Sequence, residues 1–190
     1  MTFNATKAKV GDFLCYSKKA GVFDPIGAFI AIFSADSKRI NGKFVHIACY
    51  SKDVGQKHYK IEHHIKSGIQ EVELLVEDWE NIKVLRYPFR SDQIGLMLQT
   101  ARSWIGTERG KYDENSFPSM GIRSSVGKWL NWKWLRKGTP ILNDLQKTVC
   151  SSLWSTIAHE ILCIDIFKNV HYSSVIPEDY AGNTKMRRVS

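Results

Sequence analysis

The chain has 190 residues, of which 43% are hydrophobic and 24% charged, and this balance excludes an intrinsically disordered chain. Its 27 basic and 19 acidic side chains leave a formal net charge of +8, which suits an anionic partner without choosing among nucleic acid, a lipid surface and a cell-wall polymer. The length favours one domain with a buried core.

The cysteines and the apolar runs limit where the protein works. The four cysteines form no C-x-x-C pair, which excludes a zinc ribbon and a thioredoxin motif, and they are too sparse for a disulfide scaffold: Cys15, Cys49, Cys150 and Cys163. The first ten residues lack the apolar region of a signal peptide, and the longest apolar run, Ile26–Phe33, is far below the ~20 residues that cross a bilayer. We expect a cytoplasmic protein, with release by lysis or by a dedicated secretion route as the alternative.

The first half of the chain predicts short strands with one intervening helix. Asp24 suits a helix N-cap and Pro25 the first helical position, and the apolar residues that follow, up to Phe33, lie on one helical face. Turns are predicted at Gly11-Asp12, Asn41-Gly42 and Ser67-Gly68. The predicted strands are Phe13–Tyr16, Phe44–Tyr50, His58–Ile65, Val72–Val76 and Ile82–Tyr87.

In the second half the apolar period changes to that of helices. One amphipathic helix is predicted from Ser91 to Ile105, where Gly106 ends it, and a second from Cys150 to Ile161. The fold class is therefore α+β, with a small antiparallel sheet packed against helices.

Cys150 is the first candidate for chemistry, because it stands where the second predicted helix begins. A thiol there lies at the positive end of the helix dipole and near free backbone N–H groups, which stabilise a thiolate and can hold an oxyanion. The alternative is a small buried hydrophobic side chain in the first turn of the helix, which is what most cysteines are.

His46 and Glu62 are the candidates for a base and its orienting acid. His46 lies within an apolar predicted strand, with Phe44 and Ala48 on the same face, so a buried core histidine is the alternative. Antiparallel pairing with the next strand would bring Glu62 beside His46, where a carboxylate fixes the imidazole tautomer and stabilises the imidazolium. The alternative for Glu62 is a solvated strand residue.

A zinc site competes for the same stretch of chain. The local cluster consists of His46, His58, Glu62, His63 and His64. Its spacing matches no recognised zinc pattern, and strand geometry directs His63 and His64 to opposite faces. We therefore favour acid–base chemistry over metal binding.

The order of these segments resembles the permuted NlpC-type papain-like cysteine peptidases and amidases, in particular the YiiX/YebB-like group. The segments that carry the resemblance are, in chain order, the Gly11-Asp12 turn, FVHIACY, KIEHHIKSGIQEVEL, IKVLRYP, GTERGKYDE, VCSSLWSTIAHE and the tail at Ile176–Tyr180. In that group the histidine precedes the cysteine, as His46 precedes Cys150 here. The resemblance extends from Gly11 to Val189.

The resemblance implies a circularly permuted papain-like fold as a single domain over residues 1–190. It implies that Cys150 attacks a carbonyl to form a thioester, that His46 takes and returns the proton, and that Glu62 orients His46. The Cys150 N–H would contribute to the oxyanion site, and neither a cofactor nor a metal is expected. The residues expected at the substrate are Tyr112, Ser151 and Trp154, and the alternative for Tyr112 is simple packing.

The chain also departs from the pattern of that group. Ser152 stands where a glutamate usually follows Cys-Ser, and His63 stands where a small residue is common after the acid. The stretch from Phe117 to Lys147 is longer than in the group. These differences affect the pocket walls and leave the proposed triad intact.

A basic, tryptophan-rich insertion is predicted at about 115–147. No acidic residue occurs between Glu114 and Asp144. Such a segment can contact an anionic membrane or polymer, or stack on single-stranded nucleic acid, and the alternative is a short helix packing its tryptophans on the body. The residues expected to make the contact are Trp129, Trp132, Lys133, Trp134 and Arg136.

Two functions follow from the sequence. The first is a cysteine hydrolase that cleaves an amide or ester bond, with peptidoglycan peptides or a related acyl compound as substrate and acyl transfer as a variant. The alternative is a non-catalytic binding module on the same fold, which uses the basic tryptophan-rich surface for lipid, wall polymer or nucleic acid. No specific nucleic-acid partner is expected, because no helix-turn-helix, zinc finger or ribonucleoprotein motif occurs.

Overall fold

The computed structural model describes residues 7–17, 44–75, 81–113 and 147–189. The predicted helix at Asp24–Phe33 and the tryptophan-rich insertion up to residue 146 lie outside the described residues. The strands are β1 (Phe13–Ser17), β2 (Phe44–Val54), β3 (Lys57–His64), β4 (Gly68–Glu73), β5 (Ile82–Arg86) and β6 (Arg187–Val189). The helices are α1 (Ser91–Ser103), α2 (Ser152–Glu160) and α3 (Pro177–Gly182), with 3-10 turns at Glu108–Gly110 and Tyr172–Ser174.

The six strands form one sheet in the order β4-β3-β2-β1-β5-β6, and every neighbouring pair is antiparallel. The predicted α+β class with an antiparallel sheet is therefore confirmed. The predicted positions of β1, β2, β3, β5 and α1 agree with the observed elements to within a few residues at each end. Among the described residues, no helix has the length and apolar character needed to span a membrane.

Both faces of the sheet are buried at its centre, because the strands alternate apolar side chains between two clusters. Phe13, Cys15 and Ile47 belong to the larger cluster, where α1 and α2 pack. Leu14 and Ala48 belong to the smaller cluster on the opposite face. Each fully buried aliphatic or aromatic side chain contributes roughly 1.5–3 kcal/mol to folding.

The pairing of β2 changes along its length. Tyr16 pairs with His46 and Ser17 with Phe44, so Val45 is an extra residue in a β-bulge. The pairing of β2 with β3 starts only at Ala48, opposite Glu62. Among the described strands, the first four residues of β2 therefore lie beside β1 alone, which leaves the other edge of this segment available to a different part of the chain.

The prediction for β4 was wrong in position, since the strand spans Gly68–Glu73 rather than Val72–Val76. Its middle residues, Gln70 and Glu71, are polar, and Ile69 and Val72 do not alternate as strand residues on one face would. They are held by neighbours instead: Gln70 Nε2 donates to Glu62 at 3.0 Å, and Arg102 of α1 forms an ion pair with Glu71 at 2.7 Å.

Gly68 is expected to tolerate alanine much less well than Gly55. Both have positive φ, 70° and 62°, which costs a non-glycine residue about 1 kcal/mol. A Cβ on Gly68 would also collide with the carbonyl oxygen of Gly110, whereas one on Gly55 meets nothing within 4 Å. In urea denaturation, Gly68→Ala should lower the free energy of unfolding by about 3 kcal/mol and Gly55→Ala by about 1 kcal/mol. Equal losses would mean that the Gly110 contact is unimportant.

Candidate active site

Cys150 lies in the first hydrogen-bonded turn that leads into α2. The Leu153 N–H donates to the Val149 carbonyl at 2.9 Å, and the Val149 N–H donates to Ser152 Oγ at 3.0 Å. In a capping box a glutamate or glutamine makes this second contact. Here Ser152 makes a similar contact, to the N–H of Val149, two residues before the N-cap of α2 at Ser151. α2 itself begins at Ser152, two residues later than predicted.

The thiol of Cys150 enters the site beside the part of β2 that β3 does not cover. The His46 side chain and the Ile47 backbone N–H both act on its sulfur and lower the pKa of the thiol. Both donors come from the segment of β2 that has no β3 partner. The early end of the β2–β3 ladder therefore makes room for Cys150 next to His46.

Glu62 completes a chain of contacts from the thiol. His46 Nε2 donates to Glu62 Oε2 at 3.0 Å, as antiparallel pairing predicted. Glu62 faces Ala48 in the ladder, so His46 is its diagonal neighbour two residues along β2. Because Nε2 is held by the carboxylate, Nδ1 is the ring nitrogen left to exchange a proton with Cys150.

Two further donors hold the same carboxylate. Lys60 Nζ lies 2.9 Å from Glu62 Oε2, and Gln70 Nε2 donates to Oε1 at 3.0 Å. Neither residue was among the predicted site residues. The alternation of β3 already placed Lys60 on the face of Glu62, whereas Gln70 fell outside the predicted strand and had no comparable signal.

The electrostatics of Cys150 and His46 favour an ion pair. Burial opposes the thiolate, but the positive charge and hydrogen bond of His46, with smaller contributions from Ile47 and Tyr112, lower the pKa of Cys150. Burial also opposes the imidazolium, but the thiolate and the Glu62 carboxylate raise the pKa of His46 from 6.5 to about 9. Between these two pKa values the thiolate–imidazolium form is the expected state.

Glu62 remains ionised across the same range. Burial opposes its charge, but the hydrogen bond and positive charge of His46 and the ammonium of Lys60 hold the pKa of the carboxyl well below its usual range. A charged acid next to His46 is what a triad requires to stabilise the imidazolium.

Tyr112 reaches the thiol from a separate segment. It forms a parallel bridge with Thr148, and its hydroxyl donates to Cys150 Sγ at 4.0 Å. Behind it, the His63 ring packs edge-on at 4.8 Å, and Thr148 Oγ1 lies 3.0 Å from His63 Nδ1. Burial lowers the pKa of His63 to about 4, so this ring is neutral at physiological pH.

The structure does not bring the other two predicted substrate-binding side chains to the site. Ser151 is buried, and its hydroxyl donates to the Val175 carbonyl at 2.5 Å. The Trp154 side chain has no exposed surface and packs against Phe13, with ring centres 6.4 Å apart. Both residues anchor the start of α2 on the core and so hold Cys150 in place.

The histidines of the alternative zinc interpretation are directed apart. His63 is fully buried, His64 is exposed, and His58 Nδ1 lies 2.6 Å from Asp53 Oδ1 at the far end of the hairpin. Within the described part of the chain, no three His, Cys, Asp or Glu side chains form a group suited to a metal ion.

Replacing Glu62 with glutamine is expected to lower the pKa of His46. The raised pKa means that the stabilisation from the His46 ion pairs is complete below pH 6.5 and is lost as the pH rises toward about 9. Without the carboxylate charge, the titration of His46 followed by NMR should move down by roughly 1–2 pH units. Glu73→Gln, which removes the acid of an exposed ion pair with Lys57, should leave it in place. An unchanged titration in Glu62→Gln would contradict the assigned contact.

Comparison with known proteins adds no relative: no family model, curated protein or solved structure matches the chain. The chemistry assigned to the site therefore depends on the geometry of its residues. A thiol, an imidazole and a carboxylate lie in sequence, with the Ile47 N–H of β2 at the sulfur and the first residue of α2 two positions after Cys150. Such an arrangement suits nucleophilic acyl chemistry.

Proposed function

We propose that the chain is a cysteine hydrolase with a permuted papain-like fold, which cleaves an amide or ester bond through a thioester acyl-enzyme. The observation that carries the proposal is the contact chain from Cys150 through His46 to Glu62. Charged groups are costly to bury unless their charges are compensated. A cysteine that only filled space in the core would not need an imidazole and a carboxylate buried beside it.

Each residue of the chain has a step in the proposed reaction. The Cys150 thiolate forms the S–C bond with the substrate carbonyl, and the carbonyl oxygen takes up the negative charge. The helix-start N–H of Cys150 and the Tyr112 hydroxyl are the donors we assign to that oxyanion. As the C–N or C–O bond breaks, the His46 imidazolium gives its proton to the leaving group.

The second half of the reaction returns the enzyme to its starting state. Neutral His46 takes a proton from water, whose oxygen attacks the thioester carbon, and the S–C bond breaks. The carboxylic acid product leaves, and the proton on His46 restores the ion pair with Cys150. Glu62 remains ionised throughout and keeps Nε2 protonated, so that Nδ1 does the proton transfer.

The order of the elements supports the permuted papain-like fold. The histidine and the acid come first, on β2 and β3, and the cysteine follows at the start of α2, which packs on the same sheet. This is the chain order that the sequence shares with the permuted NlpC-type group.

For the substrate we propose peptidoglycan peptides or a related acyl compound. The resemblance suggests this class, and the net charge of +8 suits an anionic polymer.

The proposal is tested by trapping the acyl-enzyme. The protein is mixed with p-nitrophenyl acetate, quenched in acid and digested, and the peptides are measured by mass spectrometry. We expect an acetyl group on Cys150 that hydroxylamine removes at neutral pH, as it does from thioesters. His46→Ala should show much slower acetylation of the same peptide. Acetylation spread over lysines with none on Cys150 would overturn the proposal.

Peptidoglycan fragments and acyl lipids then test the substrate class. Release of a new amine or carboxylate from the fragments, absent with Cys150→Ala, is the expected result. If neither fragments nor lipids are consumed while acetylation of Cys150 proceeds, the chemistry stands and the substrate assignment is wrong.

A further inference from the structure

Lys60 is a buried cation inside the site. Its side chain is only 8% exposed, and it lies on β3 two residues before Glu62, on the same face of the strand. Its Nζ is 2.9 Å from Glu62 Oε2, the same oxygen that accepts from His46. Lysine is rarely buried to this extent, because an ammonium group loses much hydration energy.

The burial of Lys60 needs an explanation beyond the stability of the fold. Each carboxylate oxygen of Glu62 already accepts one hydrogen bond, from His46 or from Gln70. A third donor is therefore not required to give both oxygens a partner. What Lys60 adds is charge: two cations, an ammonium and an imidazolium, share one carboxylate oxygen when His46 is protonated.

The groups that face this ammonium come from each neighbouring strand. β1 contributes Tyr16, whose ring centre lies 4.7 Å from Lys60 Nζ and 5.5 Å from the His46 ring centre. β2 contributes Tyr50, which pairs with Lys60, and His46, which shares the Glu62 oxygen. β4 contributes Val72 opposite Lys60 and Gln70 opposite Glu62, and both are uncharged. Beyond His46 lies Cys150. Among the described residues at this contact, Glu62 is the carboxylate and Lys60 and His46 are the cations.

We propose that Lys60 is a positioning residue that acts on His46 through the shared Glu62 oxygen. It holds the carboxylate in place and opposes the positive charge of the imidazolium, so that His46 releases its proton to the leaving group more readily. The inference rests on the proposed function, because it assigns a role in the proton transfer of that site. It predicts that the charge of Lys60, and not only its hydrogen bond, sets the pH range of the ion pair.

Removing this charge should raise the pKa values of His46 and Cys150. Without the ammonium, the imidazolium of His46 and the proton on Cys150 are both lost at higher pH, since a nearby positive charge favours deprotonation of each group. For a cation about two hydrogen bonds away, at an effective dielectric constant near 20, the shift expected for His46 is roughly 1–2 pH units. The shift for the more distant Cys150 should be smaller.

The test is the titration of His46 by NMR together with the rate of Cys150 alkylation, both recorded from about pH 4 to about pH 10. Lys60→Gln keeps a donor that can reach Glu62 but removes the charge, and Lys60→Met removes both. Lys60→Arg keeps the charge. Lys52→Met is the matched control, because it removes a neighbouring cation that pairs with Glu71 instead of Glu62.

We expect Lys60→Gln and Lys60→Met to raise both the pH at which His46 titrates and the pH at which Cys150 becomes reactive to alkylation. Lys60→Arg and Lys52→Met should leave both pH values near those of the wild type. Thermal melting of each variant shows that it is folded. Loss of stability in the two uncharged variants with unchanged titrations would assign Lys60 a structural role and overturn the proposal. If wild-type Cys150 itself shows no reactivity that depends on His46, the proposed function fails first, and the Lys60 inference fails with it.

Discussion

Replacing Cys150 with alanine is expected to lower the rate of p-nitrophenyl acetate hydrolysis at least about 10³-fold, to the rate of the uncatalysed reaction. The thiolate is the group that forms the bond to the carbonyl. Among the described residues, no other side chain is assigned as a nucleophile beside His46. Steady-state rates near neutral pH measure the effect. A fall of this size corresponds to about 4 kcal/mol of transition-state stabilisation.

The matched control is Cys163→Ser, which removes an exposed cysteine that has no part in the assigned site and should keep the wild-type rate. His46→Ala should be nearly as inactive as Cys150→Ala, and the double variant should be no worse than either single one, because the two side chains act as a unit. Turnover that survives in Cys150→Ala would show that the reaction does not use this thiol.

Replacing Asp12 with alanine is expected to lower the free energy of unfolding by about 3 kcal/mol. Asp12 is 1% exposed, and its carboxylate accepts two hydrogen bonds from the Arg86 guanidinium, each at 2.7 Å, and one from the Lys9 N–H at 2.8 Å. Its removal leaves the Arg86 charge and a backbone donor without their partner. It also releases the chain before β1 from the end of β5.

Urea denaturation measures this effect, with Asp92→Ala as the control. Asp92 pairs with Arg90 in full contact with solvent, so its removal should cost no more than about 0.5 kcal/mol. Similar losses in the two variants would mean that the pairing of buried Asp12 with half-buried Arg86 contributes no more than a surface contact.

The contact between His46 and Glu62 was predictable from sequence because it depends on short-range rules. The alternation of each strand fixes the face of a side chain, and the antiparallel pairing of consecutive strands brings the two faces together. The neighbourhood of Cys150 was predictable more coarsely, since the apolar period of α2 puts the start of the helix close to it, although the helix begins two residues later.

Other parts of the site were not predictable, because they depend on tertiary contacts. Gln70 lies in a strand whose polar residues are held by partners from β3 and α1, so its sequence carries no strand signal. Ser151 and Trp154 follow the cysteine closely in sequence, but the helix directs them into the core. The face of β3 on which Lys60 lies was predictable from the alternation of the strand. The contact of Lys60 and His46 with the same Glu62 oxygen was not, because it depends on the register of β2 and β3.

The central claim is that Cys150 and His46 form a thiolate–imidazolium pair, and the pH profile of Cys150 alkylation tests it most directly. Iodoacetamide labelling of wild type and His46→Ala, read by peptide mass spectrometry, follows each of the four cysteines separately. We predict labelling of Cys150 near pH 6, well below the ordinary cysteine pKa of about 8.5, and a fall of roughly 10- to 100-fold in His46→Ala. Labelling of Cys150 that rises only near its ordinary pKa and ignores the loss of His46 would contradict the claim.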